Sequence, residues 1–209
     1  MEWIYLKSND NKNRYALGEI CKTPNKLLFC IGINPSTATP EKLDPTATRI
    51  KNIALEHGYD SWIILNLCSQ ISTDPNCMND IQSDLSHQKN LEIIEDLIKK
   101  YGNCGDFLFA YGNLISKKTY LNKNLCDIIQ ILSTNKLSGN CYCLGKTKKG
   151  NPKHPLYQKA NTPFALFPTE GYTYSKIIYL NENKCVIQEY SKNGELLFET
   201  MGTYNPDTP

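Results

Sequence analysis

The sequence predicts an α/β protein: a three-layer α/β/α sandwich around a mainly parallel, four-stranded central sheet. Three observations predict it. Four short apolar runs, Leu27–Ile31, Trp62–Leu65, Phe107–Ala110 and Cys141–Leu144, are separated by stretches with helical spacing. They are continuous and not alternating, as strands covered on both faces are. Each runs into a polar turn containing Gly or Asn, so the four turns are expected to line one edge of the sheet, where open α/β sheets bind ligands. Residues 1–168 are assigned to this α/β domain and 169–209 to a C-terminal β-meander with a tail.

The elements follow in order. Trp3 to Leu6 and Tyr15 to Leu17, joined by the polar stretch Ser8 to Asn13, predict an N-terminal β-hairpin. Lys26 to Ile31 is the central strand and delivers Gly32-Ile-Asn34-Pro35. Asp44-Pro45-Thr46 reads as a helix start, with Asp as N-cap and Pro in the first turn. Ile50, Ile53, Ala54 and His57 make its stripe, and Gly58 ends it. Trp62–Leu65 delivers Asn66, and a polar loop from Ser69 to Asp84 leads to a helix over Leu85–Tyr101. Phe107–Ala110 runs into Tyr111-Gly112-Asn113. Ser116–Asn135 is expected to be helical, and Cys141–Leu144 ends at Gly145, before an irregular loop from Lys146 to Pro155. Three strand-like runs follow, Tyr172–Leu180, Lys184–Tyr190 and Glu195–Thr200. They are separated by Asn181-Glu-Asn183 and Lys192-Asn-Gly194, and the tail Asn205–Pro209 is expected to fray.

Composition narrows the function classes. A net charge of +2 excludes a highly charged nucleic-acid coat protein but not a local basic groove. No run approaches the ~18 apolar residues of a membrane span. The N-terminus lacks a signal peptide's pattern, so a cytoplasmic setting and no membrane partner are expected. The nine cysteines are odd in number and scattered through apolar runs (Cys30, Cys68, Cys126, Cys185), which suits reduced core thiols. Cys141-Tyr-Cys143 has no second pair at metal-ligand spacing, so neither a metal nor a cofactor is expected. A Gly-x-Ser-x-Gly elbow and a P-loop are both missing.

Singly, Asn34, Asn66, Tyr111 and His154 are each well explained as turn or loop residues. Their order, Gly32-Ile-Asn-Pro35, Leu65-Asn66, Tyr111-Gly112-Asn113 and Lys153-His154-Pro155, resembles the uracil-DNA glycosylase superfamily. Gly-Ile-Asn-Pro is the form of its mismatch-specific branch. At closer range the chain resembles a bacterial and phage family catalogued as domain of unknown function 1643, over residues 14 to 168. That resemblance rests on Asn34-Pro-Ser-Thr-Ala38, Asp44-Pro-Thr46 with Arg49, Asn66-Leu67, Thr73-Asp-Pro75, Gly145-Lys-Thr-Lys148 and Gly150-Asn-Pro-Lys-His-Pro-Leu-Tyr157.

The glycosylase resemblance implies a fold of that type and site roles. Asn34 would orient the attacking water, and as an amide it is a poor base, so the route would be slow and dissociative. Asn66, with Tyr111 and Asn113, would read the base; Asn66 offers both a donor and an acceptor. His154 would donate to the departing base's oxygen. Ser36, Thr37, Arg49, Lys146, Lys148, Lys149 and Lys153 are the candidates for phosphate or nucleic-acid contacts. The role of Asp44 is left open. The third strand has Tyr111-Gly112 where the glycosylases have Trp-Gly, and the aromatic that stacks on the base has no counterpart in Ser36 to Pro40. The expected function is a nucleobase-recognising N-glycosidic hydrolase acting on nucleic acid, in repair or modification. The alternatives are a non-catalytic nucleobase- or nucleotide-binding module, or an enzyme of free nucleotides or base modification.

Overall fold

The hairpin expected at the N-terminus forms from β1 (Glu2–Lys7) and β2 (Arg14–Ile20), paired antiparallel. The structure is a computed structural model that describes residues 1–135, 139–169, 173–181, 184–191 and 196–203. β3 (Leu27–Gly32) leads to α1 (Pro45–Glu56) and β4 (Ser61–Asn66). α2 (Asp84–Tyr101) leads to β5 (Gly105–Phe109), and α3 (Tyr120–Thr134) to β6 (Cys141–Cys143). β7 (Ala165–Leu166) ends this part of the chain.

The sheet is larger than expected. Seven strands run in the order β1-β2-β4-β3-β5-β6-β7, where the sequence suggested four. β4, β3, β5 and β6 pair in parallel. The hairpin extends the sheet: β2 pairs antiparallel with β4 through Leu17↔Ile64 and Glu19↔Trp62. Gly18 permits this, because a Cβ there would strike the Trp62 carbonyl. β7 pairs antiparallel with β6 and, at two residues, was too short to show a pattern.

Alternate residues of the inner strands enter two separate cores, as the period of two requires. Leu27, Phe29 and Ile31 of β3 pack with Ile94, Leu97 and Ile98 of α2 and with Leu121, Leu125 and Ile128 of α3. Leu28 and Cys30 pack with Ala47, Ile50, Ile53 and Ala54 of α1. α1 therefore covers one face, and α2 and α3 cover the other. That is the arrangement expected when crossovers of one hand, the right-handed one that parallel strands favour, first step from β3 to β4 and then reverse to β5 and β6. The reversal occurs beside β3, whose carboxyl end is the site-forming position in such sheets.

Helix boundaries follow their capping chemistry. Asp44 caps α1, its Oδ1 accepting from the Ala47 N–H at 2.8 Å, with Pro45 in the first turn. Gly58, at φ +75°, follows its C-cap. Ser83 caps α2. The helix expected from Ser116 starts at Tyr120, because Gly112–Lys117 is a 3-10 helix. The Ser116 hydroxyl donates to the Asn113 carbonyl, a side-chain bond that competes with regular helix.

The three C-terminal runs form β8 (Thr173–Asn181), β9 (Lys184–Ser191) and β10 (Leu196–Thr203), an antiparallel sheet of their own in the order β10-β9-β8. Residues 182–183 and 192–195 of the expected turns, the tail at 205–209 and the Cys185 side chain lie outside the described residues. Cys30, Cys68 and Cys126 are buried free thiols, and no group of three metal-ligating side chains occurs among the described residues.

Candidate functional site

The carboxyl edge of the sheet holds a cavity of about 330 Å³ beside the reversal point. Its floor comes from the ends of β3 and β4 and from Ala110 after β5. One wall is the N-terminus of α1, the other is formed by the 72–75 loop and the turn at His154–Leu156. Asn34, Asn66, Asp44, Ser36, Thr37 and His154, chosen from four separate stretches of sequence, all line it.

Asn34 is held by its amide nitrogen. Nδ2 donates to the Pro35 carbonyl at 3.0 Å and the Ser72 carbonyl at 2.8 Å, while Ser72 N–H returns a bond to Pro35 O. Both amide hydrogens are thus spent on the turn, and Oδ1 is the atom left to act on a ligand.

Asn66 closes β4 directly beside Gly32 of β3. A Cβ at Gly32 would lie 2.8 Å from Asn66 Oδ1, so the glycine makes room for the amide. Asn66 is 3% exposed, and its Nδ2 is buried without a hydrogen-bond partner. A buried donor left unpaired costs about 1–3 kcal/mol, which a ligand's acceptor would recover. The backbone around it is braced from the helices: Asn90 Nδ2 donates to the Asn66 carbonyl and Asn124 Nδ2 to the Leu67 carbonyl.

His154 caps the 3-10 turn Pro155–Tyr157. The Leu156 N–H donates to its Nδ1 at 3.3 Å, which makes Nδ1 the acceptor and leaves Nε2 to carry the proton. Burial holds its pKa below 6.5 despite the opposing charge of Asp44, so the ring is neutral near pH 7. The loop that carries it is pinned over the sheet edge. Gly112, at φ +64°, donates its N–H to the Pro152 carbonyl, and Lys153 N–H bonds to Gly145 O. Asn113 Oδ1 accepts from Thr147 Oγ1 at 2.8 Å and from Asn151 Nδ2 at 3.0 Å.

The remaining candidates lie elsewhere. Tyr111 is buried in the α2/α3 core, edge-on to Phe167, and reaches only a second cavity of about 480 Å³. Asn113 and Lys153 line that second cavity as well, and His154 borders both. Arg49 sits half-buried on α1 outside the main cavity, and Lys146, Lys148 and Lys149 are exposed on the 146–150 turn.

One charged residue of the cavity wall was missed. Arg14, the first residue of β2, is 3% exposed; Nη1 donates to the Ala38 carbonyl at 2.6 Å and Nε has no partner. Burial lowers its pKa, and the charge of Asp44 opposes that shift. The available signal was composition: the chain has only two arginines among its 23 basic residues, and this one opens an apolar strand. Cys30 also lines the cavity, but burial pushes its thiol up to about 12 and keeps it protonated.

Residues 14–156 match the family described as "Protein of unknown function (DUF1643)". The chain belongs to this family. The matched span contains every residue that lines the main cavity, from Arg14 to Leu156, and stops short of the C-terminal meander. No curated protein and no solved structure matches the chain.

Proposed function

We propose that this family member is a nucleobase-recognising N-glycosidic hydrolase of the uracil-DNA glycosylase type, acting on a nucleotide unit of a nucleic acid. The observation that carries the reading is the convergence of Asn34, Asn66 and His154 on one small cavity at the carboxyl edge of the sheet, with Asn66 Nδ2 buried and unpaired. The four parallel inner strands and the order of these residues along them support the same fold-level kinship.

The chemistry asks for three things. The base must be held out of its stack, the developing negative charge on it must meet a donor, and a water must stand at the sugar. A cavity of about 330 Å³ lies at the lower end of the range for small-molecule sites, roughly 300–1,000 Å³, and suits one nucleoside and not a paired duplex. Asn66 Nδ2 would donate to a base carbonyl and Oδ1 would accept from a ring N–H. His154, with its proton on Nε2, would donate to the other carbonyl oxygen as charge builds there. Asn34 would present Oδ1 to the water. Thr147 and Lys153, which line the adjoining cavity, and the exposed Lys146, Lys148 and Lys149 would meet flanking phosphates.

The test is release of free base from single- and double-stranded oligonucleotides containing uracil or mismatches. Release is expected from the wild type and is expected to fall at least tenfold in Asn34→Ala and in His154→Ala. Saturable nucleoside binding with no release from any substrate would replace this reading by a non-catalytic binding module.

A further inference from the structure

Asn34 cannot take a proton from water, so hydrolysis at this site needs another acceptor. The groups lining the cavity are few enough to examine one by one. His154 Nδ1 is occupied by the Leu156 N–H, and its other nitrogen holds the proton. Cys30 stays a buried thiol. Arg14 is a cation, and the serine and threonine hydroxyls are too weakly basic. Asp44 is the only carboxylate lining the cavity among the described residues.

We propose that Asp44 is the proton acceptor for the attacking water, the carboxylate at the head of α1 supplying the basicity that the amide of Asn34 lacks. This rests on the hydrolase reading given above. The geometry suits the task. Oδ1 is fixed by the Ala47 N–H at 2.8 Å, so the side chain is oriented, and no hydrogen bond from the described residues reaches Oδ2. The groups facing Asp44 are Arg14 from β2, His154 from the loop beyond β6 and the amide end of α1 itself. Arg14 brings positive charge to the same end of the cavity.

In the step, an O–H bond of water breaks and its proton passes to Asp44 Oδ2. The oxygen forms a bond to the anomeric carbon. The N-glycosidic bond breaks with its electron pair going to the base, whose oxygen is held by His154. The proton on Asp44 then leaves to neutralise the base anion, directly or through solvent, and regenerates the carboxylate. Substrate and water give sugar hemiacetal and free base with no other reactant.

The decisive variant is Asp44→Asn, because Asn caps helices as well as Asp and is no base. It is measured in single-turnover base release on the oligonucleotide that the wild type cleaves, beside thermal melting and calorimetric binding of the free base. A loss of about a hundredfold or more in rate, with melting and base affinity unchanged, is the expected result. Asp44→Ser, which also caps, is expected to lose the same activity and regain part of it in sodium formate. Undiminished release by Asp44→Asn overturns the assignment and leaves Asp44 a helix cap, with the hydrolase reading intact. A rate loss matched by an equal loss of base affinity overturns it too, in favour of a positioning role. No release by the wild type from any oligonucleotide removes the hydrolase reading itself, and this assignment with it.

Discussion

Burial sets the protonation of the side chains that matter most. His154 has a folded pKa below the 6.5 of an exposed imidazole, so between those two values the unfolded chain binds a proton that the folded chain refuses. The stability contributed by the neutral ring is complete above 6.5 and is lost as pH falls toward the folded value. Nuclear magnetic resonance titration is expected to place the His154 midpoint below 6.5, and His154→Gln is expected to flatten that part of the stability-versus-pH curve. Cys30 behaves as its apolar neighbours do: with its thiol held near 12, native protein at pH 8 is expected to leave it unlabelled by iodoacetamide while the exposed Cys77 reacts. Asn66 gives a sharper test of chemistry. Asn66→Asp exchanges the buried donor Nδ2 for an acceptor, and base affinity is expected to drop by roughly 1–3 kcal/mol, read by calorimetry.

Among the elements, α2 and α3 are joined where His87 Nε2 and Lys123 Nζ meet Asp127 Oδ2 at 2.8 and 2.7 Å. Burial alone would raise the Asp127 pKa, but the bonds from His87 and Lys123 outweigh it and hold the carboxyl below 3.8. Stability from this contact is full above 3.8 and is lost as pH falls through the lower folded value. Asp127→Ala is expected to cost about 1–3 kcal/mol in urea denaturation at pH 7, because it strands a buried imidazole. Elements with periodicity or capping chemistry were legible in the sequence: Asp44 with Pro45 announced α1, and Ile50, Ile53 and Ala54 announced the face it buries. The junction of β2 with β4 was not. It depends on a carbonyl approaching Gly18 across a pair of strands more than 40 residues apart, and no local pattern records that. Arg14 was overlooked for the same reason, since its place in the cavity follows from the strand pairing. Asn34 and Asn66 line the cavity together because strand ends in a parallel sheet share one edge, and His154 joins them from a loop that only its motif singled out, whereas the lysines of the 146–153 loop had only charge to recommend them, and all but Lys153 stay outside both cavities.

For the whole molecule, charge and surface decide what reaches the site. With a net charge of +2, the nucleic-acid binding proposed above would have to rest on a local patch such as Lys146, Lys148 and Lys149. Replacing the three by Ala is expected to lower the slope of log affinity against log salt by up to about three for oligonucleotides and to leave binding of a free nucleobase unchanged, checked by fluorescence anisotropy. No helix among the described residues is long and apolar enough to cross a membrane.

The walls of the main cavity are drawn from β2, β3, α1, β4 and the loops beyond β5 and β6, so no contiguous fragment of the chain contains it. A molecule bound there contacts the two ends of the matched span at once and loses contacts in any form in which β2 or the His154 loop has opened. Its binding energy is therefore added to the global unfolding free energy and not to that of one loop. In hydrogen-exchange experiments a saturating ligand should slow the amides of β2 through β5 by one common factor, and the size of that factor reports the dissociation constant without any assay of turnover.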